Sequence, residues 1–187
     1  MKKLAAVIVI IFIGIVTAFA QKGLVFGSDT FKVDILKKKH MVAVPKKDLP
    51  SGLKIDQAFT NDKKSYQLRY SFFKQVEKNV DDDTLLSHFA TMAYTYLMNS
   101  SEQEINLDEI KYYEEAILKS EYNADFGMMA FIEYPKPEVS KGYNGILISF
   151  FLKKNHGMVV QELLLKDSTL FEDPILMEIM RSFKFKK

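Results

Sequence analysis

The spacing of apolar residues changes from a period of two to a helical period along the chain. In the segment 65–73, aromatic or leucine side chains occupy every second position. Successive side chains of a strand point to opposite faces, so this spacing predicts a half-buried β-strand. A turn at 61–64 joins it to a shorter strand predicted over 53–60, and the two predict a hairpin. The polar face of the longer strand would carry Gln67, Arg69 and Ser71.

A helical period follows an acidic triplet. Apolar residues between Leu85 and Leu97 recur at intervals of one and three positions, which predicts a helix with one broad apolar face. The triplet Asp81–Asp83 stands where the free N–H groups of a helix N-terminus donate to carboxylates. Three carboxylates are also ligands for hard divalent cations. We favour capping, because adjacent side chains point in different directions and no second carboxylate motif accompanies them.

The segment 102–122 carries much of the acid of the chain. Its apolar residues, from Leu107 to Leu118, stand at roughly helical spacing with glutamates between them. This pattern predicts a solvated amphipathic helix. The chain would then turn through 122–127, where Asn123 and Asp125 favour turns and Gly127 tolerates unusual backbone conformations.

The C-terminal third predicts three strands, one helix and a short closing strand. Short turns separate the apolar segments 128–134, 143–153 and 158–165, which predicts an antiparallel meander. The middle segment is apolar on both faces, so it should be a central strand. Asp173 is a candidate helix cap followed by a proline at the first helical position, and 182–186 alternates as a strand would.

These elements define an α+β fold, an antiparallel sheet of about six to seven strands flanked by helices. The chain has 187 residues, and residues 21–187 are long enough for one sizeable core, so we expect a single domain.

The first twenty residues predict an export signal. Lys2 and Lys3 precede an apolar stretch, and Ala18 and Ala20 supply the small side chains that signal peptidase requires, so that Gln21 would begin the mature chain. The alternative is an uncleaved membrane anchor, since 4–20 is at the lower limit of a membrane-spanning length. We favour cleavage and expect a periplasmic or secreted protein.

Composition removes several functional classes. The chain has no cysteine, which excludes disulfides, thiolate metal sites and a cysteine nucleophile. Its 26 basic residues exceed its 24 acidic ones only through Lys2 and Lys3, so the mature protein would be neutral. Arginine is scarce, with Arg69 and Arg181 alone, which disfavours nucleotide or nucleic-acid binding.

No catalytic or metal-binding motif is present. His40, His88 and His156 are far apart in sequence and form no paired metal-ligand motif. No nucleophile elbow, phosphate-binding loop or dinucleotide fingerprint occurs. We therefore expect a protein that is not an enzyme and that needs no cofactor or metal.

One basic patch could contact a membrane surface. Lys37, Lys38 and Lys39 precede His40 and would attract anionic headgroups at about 1 kcal/mol per lysine. We favour the alternative, in which these lysines protect the edge of a solvated strand from pairing.

Three passages resemble one protein family. They are EYNADFG at 121–127, the Gly-Tyr pair at 142–143 before a long apolar strand, and ILMEIMRSFKF at 175–185. Together they resemble exported bacterial proteins of the PsbP-like α/β/α sandwich superfamily. The resemblance implies a curved antiparallel sheet between helices and a mostly non-catalytic, accessory function. Asn123, Asp125 and Gly127 match its pattern; we interpret them first as a structural turn and second as a ligand-binding motif.

Three functions therefore stay open. The preferred hypothesis is a non-catalytic cell-envelope protein that binds another envelope component, of unknown identity and oligomeric state. The alternatives are a carrier of small apolar ligands, using a cavity between sheet and helix, and a hydrolase.

Overall fold

The computed structural model describes residues 24–27, 31–35, 41–75, 80–167, 169–170 and 173–186. The predicted export signal with Ala18 and Ala20, and the basic patch of Lys37, Lys38 and Lys39, lie outside the described residues. In the described part of the chain, no helix is both long enough and apolar enough to cross a membrane.

Ten strands are described, and all their pairings are antiparallel. The strands are β1 (Leu24–Gly27), β2 (Phe31–Ile35), β3 (Met41–Ala43), β4 (Gln57–Asn61), β5 (Tyr66–Lys74), β6 (Lys111–Tyr112), β7 (Phe126–Ile132), β8 (Gly145–Lys153), β9 (Gly157–Leu165) and β10 (Phe183–Phe185). The main sheet has the order β3-β4-β5-β9-β8-β7-β6, and a small sheet has the order β1-β2-β10. The α+β class and the antiparallel sheet are thereby confirmed, with β10 joining the small sheet rather than the main one.

Four α-helices are described: α1 (Asp82–Ser100), α2 (Glu115–Ile117), α3 (Pro137–Ser140) and α4 (Pro174–Met180). A π-helix, Leu118–Tyr122, continues α2, and short 3-10 helices occupy Lys46–Asp48 and Leu107–Glu109. The caps of the two longest helices are as predicted. Asp81 accepts a hydrogen bond from the N–H of Thr84 at 2.9 Å, and Asp173 accepts one from the N–H of Ile175 at 2.9 Å.

Two separate cores hold the layers together. On one side of the main sheet, α1 and α3 pack on the strands through residues such as Phe89, Leu97 and Val139. We call this the α1 face. On the other side, the π-helix, α4 and the small sheet pack on the strands, with Phe151 and Phe183 in the middle of that cluster. We call this the α4 face. Each fully buried side chain of this size contributes about 1.5–3 kcal/mol relative to an exposed one.

The prediction of a single helix over 102–122 is wrong. The segment contains a 3-10 turn, the two-residue strand β6 and the short α2 with its π-helical extension. Ile105 and Ile110 pack on the α1 face, whereas Ile117 and Leu118 pack on the α4 face. The segment thus crosses from one face of the sheet to the other at its edge, and a single straight helix could not bury apolar residues on both sides.

The expectation that β5 is half-buried is also wrong. Its residues Gln67, Arg69 and Ser71 point to the α1 face, where α1 and neighbouring loops cover them, and their exposed fractions are 6%, 0% and 1%. The middle strand of the predicted meander is β8. The prediction that it is central and covered on both faces is confirmed, since it lies between β7 and β9 and is buried over most of its length.

Candidate functional site

The motif residues Asn123 and Asp125 fasten a turn at the end of the π-helix. Asn123 has a left-handed backbone, with φ of 51°. Its side-chain amide donates hydrogen bonds to the carbonyl oxygens of Phe185 and Lys186, both at 3.1 Å. Asp125 forms ion pairs with Lys119 at 2.6 Å and with another lysine, Lys153, at 3.4 Å. The turn is therefore tied to the C-terminal strand and to the β8–β9 hairpin.

The charge of Asp125 is stabilised where it stands. Partial burial alone would raise the pKa of its carboxyl, but hydrogen bonds from the ammonium of Lys119 and the N–H of Lys154 outweigh burial and lower the pKa. The carboxylate oxygens are already occupied by groups of the same chain.

Gly127, the third motif residue, lies where the chain passes close under an aromatic cluster. A β-carbon at this position would come within 2.6 Å of a Leu118 methyl group and 3.2 Å of the rings of Tyr113 and Phe151. A glycine is needed here for close packing rather than for a positive φ. The contacts of Asn123, Asp125 and Gly127 account for a structural role, and their ligand-binding role stays a prediction.

A buried charged pair lies on the α1 face, in the middle of the sheet. The Arg69 guanidinium on β5 and the Glu162 carboxylate on β9 pair across the strands, with Nη1 and Oε2 at 3.6 Å and both side chains fully buried. Arg69 also donates to the Gln67 amide oxygen at 2.5 Å and to the Val139 carbonyl oxygen at 2.8 Å. The hydroxyl of Tyr96 on α1 donates to Glu162 at 3.2 Å.

This pair is only partly satisfied. Arg69 Nη2 and Glu162 Oε2 are buried without a hydrogen-bond partner. Burial raises the pKa of the Glu162 carboxyl, although the nearby Arg69 charge acts in the opposite direction. Since neither side chain reaches the surface, the pair joins α1, α3 and the sheet rather than presenting charge to a ligand.

A second buried polar group faces the opposite side. Gln161 on β9 donates to the hydroxyl of Tyr70 and to the carbonyl oxygen of Met180, both at 3.0 Å. Burial raises the pKa of the Tyr70 hydroxyl to about 12. These contacts join the end of α4 to the centre of the sheet, and they too are inaccessible.

An open cleft lies at the end of the sheet where β7 ends and β8 begins. Its volume is about 930 Å³. We call it the aromatic cleft, because its walls carry Phe131, Tyr134 and Tyr143 together with three carboxylates. The residues that line it are Glu102, Phe131, Glu133, Tyr134, Pro135, Tyr143, Asn144, Gly145, Lys166 and Asp167.

Backbone hydrogen bonds hold the walls of the aromatic cleft. The N–H of Glu102 donates to the Tyr134 carbonyl oxygen at 2.9 Å, which ties the end of α1 to the end of β7. Asn144 is fixed to the end of β9 through its N–H and its side chain, at 2.8 and 2.7 Å. A β-carbon on Gly145 would lie 2.8 Å from the Phe131 ring, so the ring can occupy this position only because residue 145 has no side chain.

A smaller pocket lies between α1 and the sheet. Its volume is about 250 Å³, and its lining is mostly apolar. The pocket has Phe73 and Met158 from the sheet on one side and Leu85, Phe89 and Met92 from α1 on the other. We call it the α1 pocket. It is a cavity between sheet and helix, the position expected for a carrier.

The histidines within the described residues are not brought together. His88 borders the α1 pocket, while His156 lies in the β8–β9 turn with Nδ1 at 3.1 Å from the Lys154 carbonyl oxygen. His40 lies outside the described residues. Across the described ranges, no three His, Cys, Asp or Glu side chains are grouped so that they could hold a metal ion.

Comparisons with known proteins gave one kind of match. No protein-family model matches the chain, and no curated protein matches it. Among solved structures, the chain is similar to the solution structure of cyanobacterial PsbP (CyanoP) from Synechocystis sp. PCC 6803, with a TM-score of 0.46 and 12% sequence identity. The match covers 89% of this chain and 94% of that chain.

Sequence reasoning missed the aromatic cleft. Its residues come from four separate parts of the chain, 102, 131–135, 143–145 and 166–167, and no motif joins them. The Gly-Tyr pair at 142–143 is the one sequence signal near the cleft, and it indicates a family resemblance rather than a cleft.

Proposed function

We propose that this protein is an exported, non-catalytic accessory module that binds another component of the cell envelope through the aromatic cleft. The observation that carries the proposal is the cleft itself, an open concave surface of about 930 Å³ with Phe131, Tyr134 and Tyr143 in its walls. Aromatic side chains at such a surface supply contact area at low conformational cost.

The exposure of the cleft residues favours binding over catalysis. Tyr134 is 49% exposed and Phe131 is 38% exposed, so both rings are accessible to a partner at the end of the sheet. Neither described histidine lines the cleft. The charged pair with the deepest burial, Arg69 and Glu162, is sealed from solvent and is not available for proton transfer to a ligand.

Site-specific photocrosslinking tests the binding role. A photoreactive residue in place of Tyr134 should form a crosslinked adduct with one envelope component in intact cells. The control is the same residue in place of Tyr94, which is 41% exposed but lies on α1. Adducts of equal yield and identity from both positions, or none from Tyr134, would refute the assignment of the cleft.

Export is tested separately. N-terminal sequencing of the protein recovered from the envelope should begin at Gln21, after cleavage behind Ala20. A retained Met1 would instead support the membrane-anchor alternative. It would not decide whether the cleft binds a partner, which the crosslinking experiment tests.

A second candidate function is a carrier of small apolar molecules, favoured by the mostly apolar lining of the α1 pocket. An apolar cavity of about 150 Å³ holds a benzene-sized molecule, so about 250 Å³ suits a ligand somewhat larger. The chain has no tryptophan, so Leu85→Trp would both fill the pocket and report on it. A naphthylamine dye should bind the wild type and not the variant; equal binding would exclude the pocket as its site.

A further inference from the structure

We propose that the occupant of the aromatic cleft is a lysine- or arginine-bearing segment of a partner protein, whose cationic side chains insert between the exposed Tyr134 ring and the carboxylates. This inference rests on the proposed function and specifies the chemistry of the partner.

Negative charge is concentrated around the cleft. A second groove of about 320 Å³ lies beside it and shares Phe131, Glu133 and Tyr134 with it. The described residues that line the two include five carboxylates and one ammonium group, although the whole chain carries a formal charge of +2. The carboxylates are Glu102, Glu104, Glu109, Glu133 and Asp167, and the ammonium group is that of Lys166. This local excess attracts a cationic partner and repels an anionic one.

The aromatic walls select the kind of cation. The Lys166 ammonium of the chain itself lies 6.0 Å from the centre of the Tyr143 ring, at the outer limit of a cation–π contact, and Tyr143 is buried, so this ring is not offered to a partner. Tyr134, which lines both grooves and is 49% exposed, offers its ring to a partner. Hard metal ions gain little from such a ring, because they need converging oxygen ligands. Ammonium and guanidinium groups bind to the face of an aromatic ring as well as to carboxylates.

The shape of the site favours a segment over a single small cation. The two grooves lie side by side and share Phe131, Glu133 and Tyr134 as lining residues, so the acidic surface extends beyond the reach of one ammonium group. Its walls are already fixed by the hydrogen bonds of Glu102 and Asn144. A segment with several basic side chains would therefore bind with little reorganisation of the protein.

The direct test is an NMR titration of the purified protein with short acetylated peptides at low salt. The probes are a pentapeptide of alternating glycine and lysine, its arginine counterpart and its glutamate counterpart. Both basic peptides should shift the amide signals of Tyr134 and Tyr143, and the acidic peptide should shift neither. Shifts confined to other acidic surfaces would overturn the proposal.

Matched variants separate the cleft from general electrostatics. Glu102→Gln with Glu133→Gln should weaken peptide binding about fivefold or more, whereas Asp62→Asn with Asp83→Asn removes the same charge elsewhere and should change it less than about twofold. Tyr134→Leu should weaken it about threefold through loss of the ring face, with Tyr94→Leu as its control. Equal effects of the two charge-neutralising pairs would refute the inference.

The crosslinking experiment distinguishes failure of this inference from failure of the proposed function. A partner captured at Tyr134 through a segment that lacks lysine and arginine, or captured equally well after Glu102→Gln with Glu133→Gln, would refute the cationic occupant and leave the binding role intact. Absence of any cleft-specific adduct would refute both.

Discussion

Breaking the buried Arg69–Glu162 pair from either side should destabilise the protein more than removing both members. The perturbations are Arg69→Leu, Glu162→Leu and the double variant. Each single change leaves one charged group, fully buried, without its opposite charge. The double change leaves two apolar side chains of similar size facing each other across β5 and β9.

The magnitudes follow from the contacts. Removing one partner of a buried pair costs about 3–5 kcal/mol. Arg69→Leu should lie at the upper end, because it also leaves the Val139 carbonyl and the Gln67 amide oxygen without their donor, each at a cost of about 1–3 kcal/mol. The double variant should lie about 2–3 kcal/mol below the wild type, because the Val139 carbonyl and the Gln67 amide oxygen still lack their donor, although apolar replacement of both charges is itself often neutral or stabilising. The two positions should therefore couple by at least about 3 kcal/mol.

Urea unfolding followed by far-UV circular dichroism and tyrosine fluorescence measures these values, since the chain has no tryptophan. Lys154→Ala is the control, because it breaks the exposed ion pair of Lys154 with Asp82 and should change the free energy of unfolding far less than either single variant of the buried pair. If the free-energy changes of the single variants simply add in the double variant, the reasoning about an uncompensated buried charge is refuted.

The same pair predicts a pH dependence. Burial raises the pKa of Glu162 in the folded protein, so the folded state binds a proton more tightly than the unfolded state does. Its contribution to stability is complete below the ordinary glutamate pKa and is lost as the pH rises through the folded pKa. In Arg69→Leu the cation that opposes this shift is gone, so the folded pKa of Glu162 is raised further, and the cost of the substitution should grow by up to about 1.4 kcal/mol per pH unit between the folded pKa of the wild type and the higher one of the variant. A cost of Arg69→Leu that is independent of pH would contradict this assignment.

Substitutions at three further positions test other parts of the structure. Gly157→Ala should lower the free energy of unfolding by about 2 kcal/mol or more in urea denaturation, because φ is +130° and a β-carbon would overlap the Phe73 carbonyl oxygen; an unchanged midpoint would contradict this. Asn123→Ala should cost about 1–2 kcal/mol and Asn123→Gly less, because glycine keeps the left-handed backbone; equal midpoints would argue against strain. Gly145→Ala should change stability by less than about 1 kcal/mol yet shift the ring signals of Phe131 in NMR spectra, because that ring lies at an open cleft and can move; unshifted ring signals would contradict the contact.

Much of the fold could be predicted because its strands and helix caps are local features. The meander of β7, β8 and β9 followed from apolar runs separated by short turns. The start of α4 followed from Asp173 and the proline after it, whose roles depend only on neighbouring residues. The short closing strand β10 was also predictable, whereas its membership of a separate sheet was not, because that pairing joins residues about 150 positions apart.

The segment 102–122 could not be predicted for a physical reason. Helical spacing describes side chains that share one face of one helix. Here Ile110 and Ile117 serve different cores on opposite faces of the sheet, so similar spacing arises from two short elements joined at the sheet edge. The acidic residues between them would be exposed in a single helix and are exposed in the two short elements, so they do not distinguish the two arrangements.

The candidate site was the least predictable part. Glu102 and Tyr134 come together through one backbone hydrogen bond between the end of α1 and the end of β7, and Asp167 arrives from the end of β9. A concave surface of this kind depends on the lengths and ends of several elements. The motif residues Asn123 and Asp125 were visible in sequence because a turn needs its residues to be adjacent.

The buried polar residues of β5 and β9 also explain how the sheet that carries the cleft keeps its register. Arg69 opposes Glu162 on the α1 face, and on the α4 face the next residues, Tyr70 and Gln161, oppose each other and bind. A slip of one residue would turn Arg69 to the α4 face, among aromatic rings and away from Glu162. The resulting unpaired charge would cost several kcal/mol, a large fraction of the stability of a domain. The pair therefore disfavours slipped registers strongly even if it adds little net stability to the correct one, and the correct register fixes where β9 ends beside the cleft.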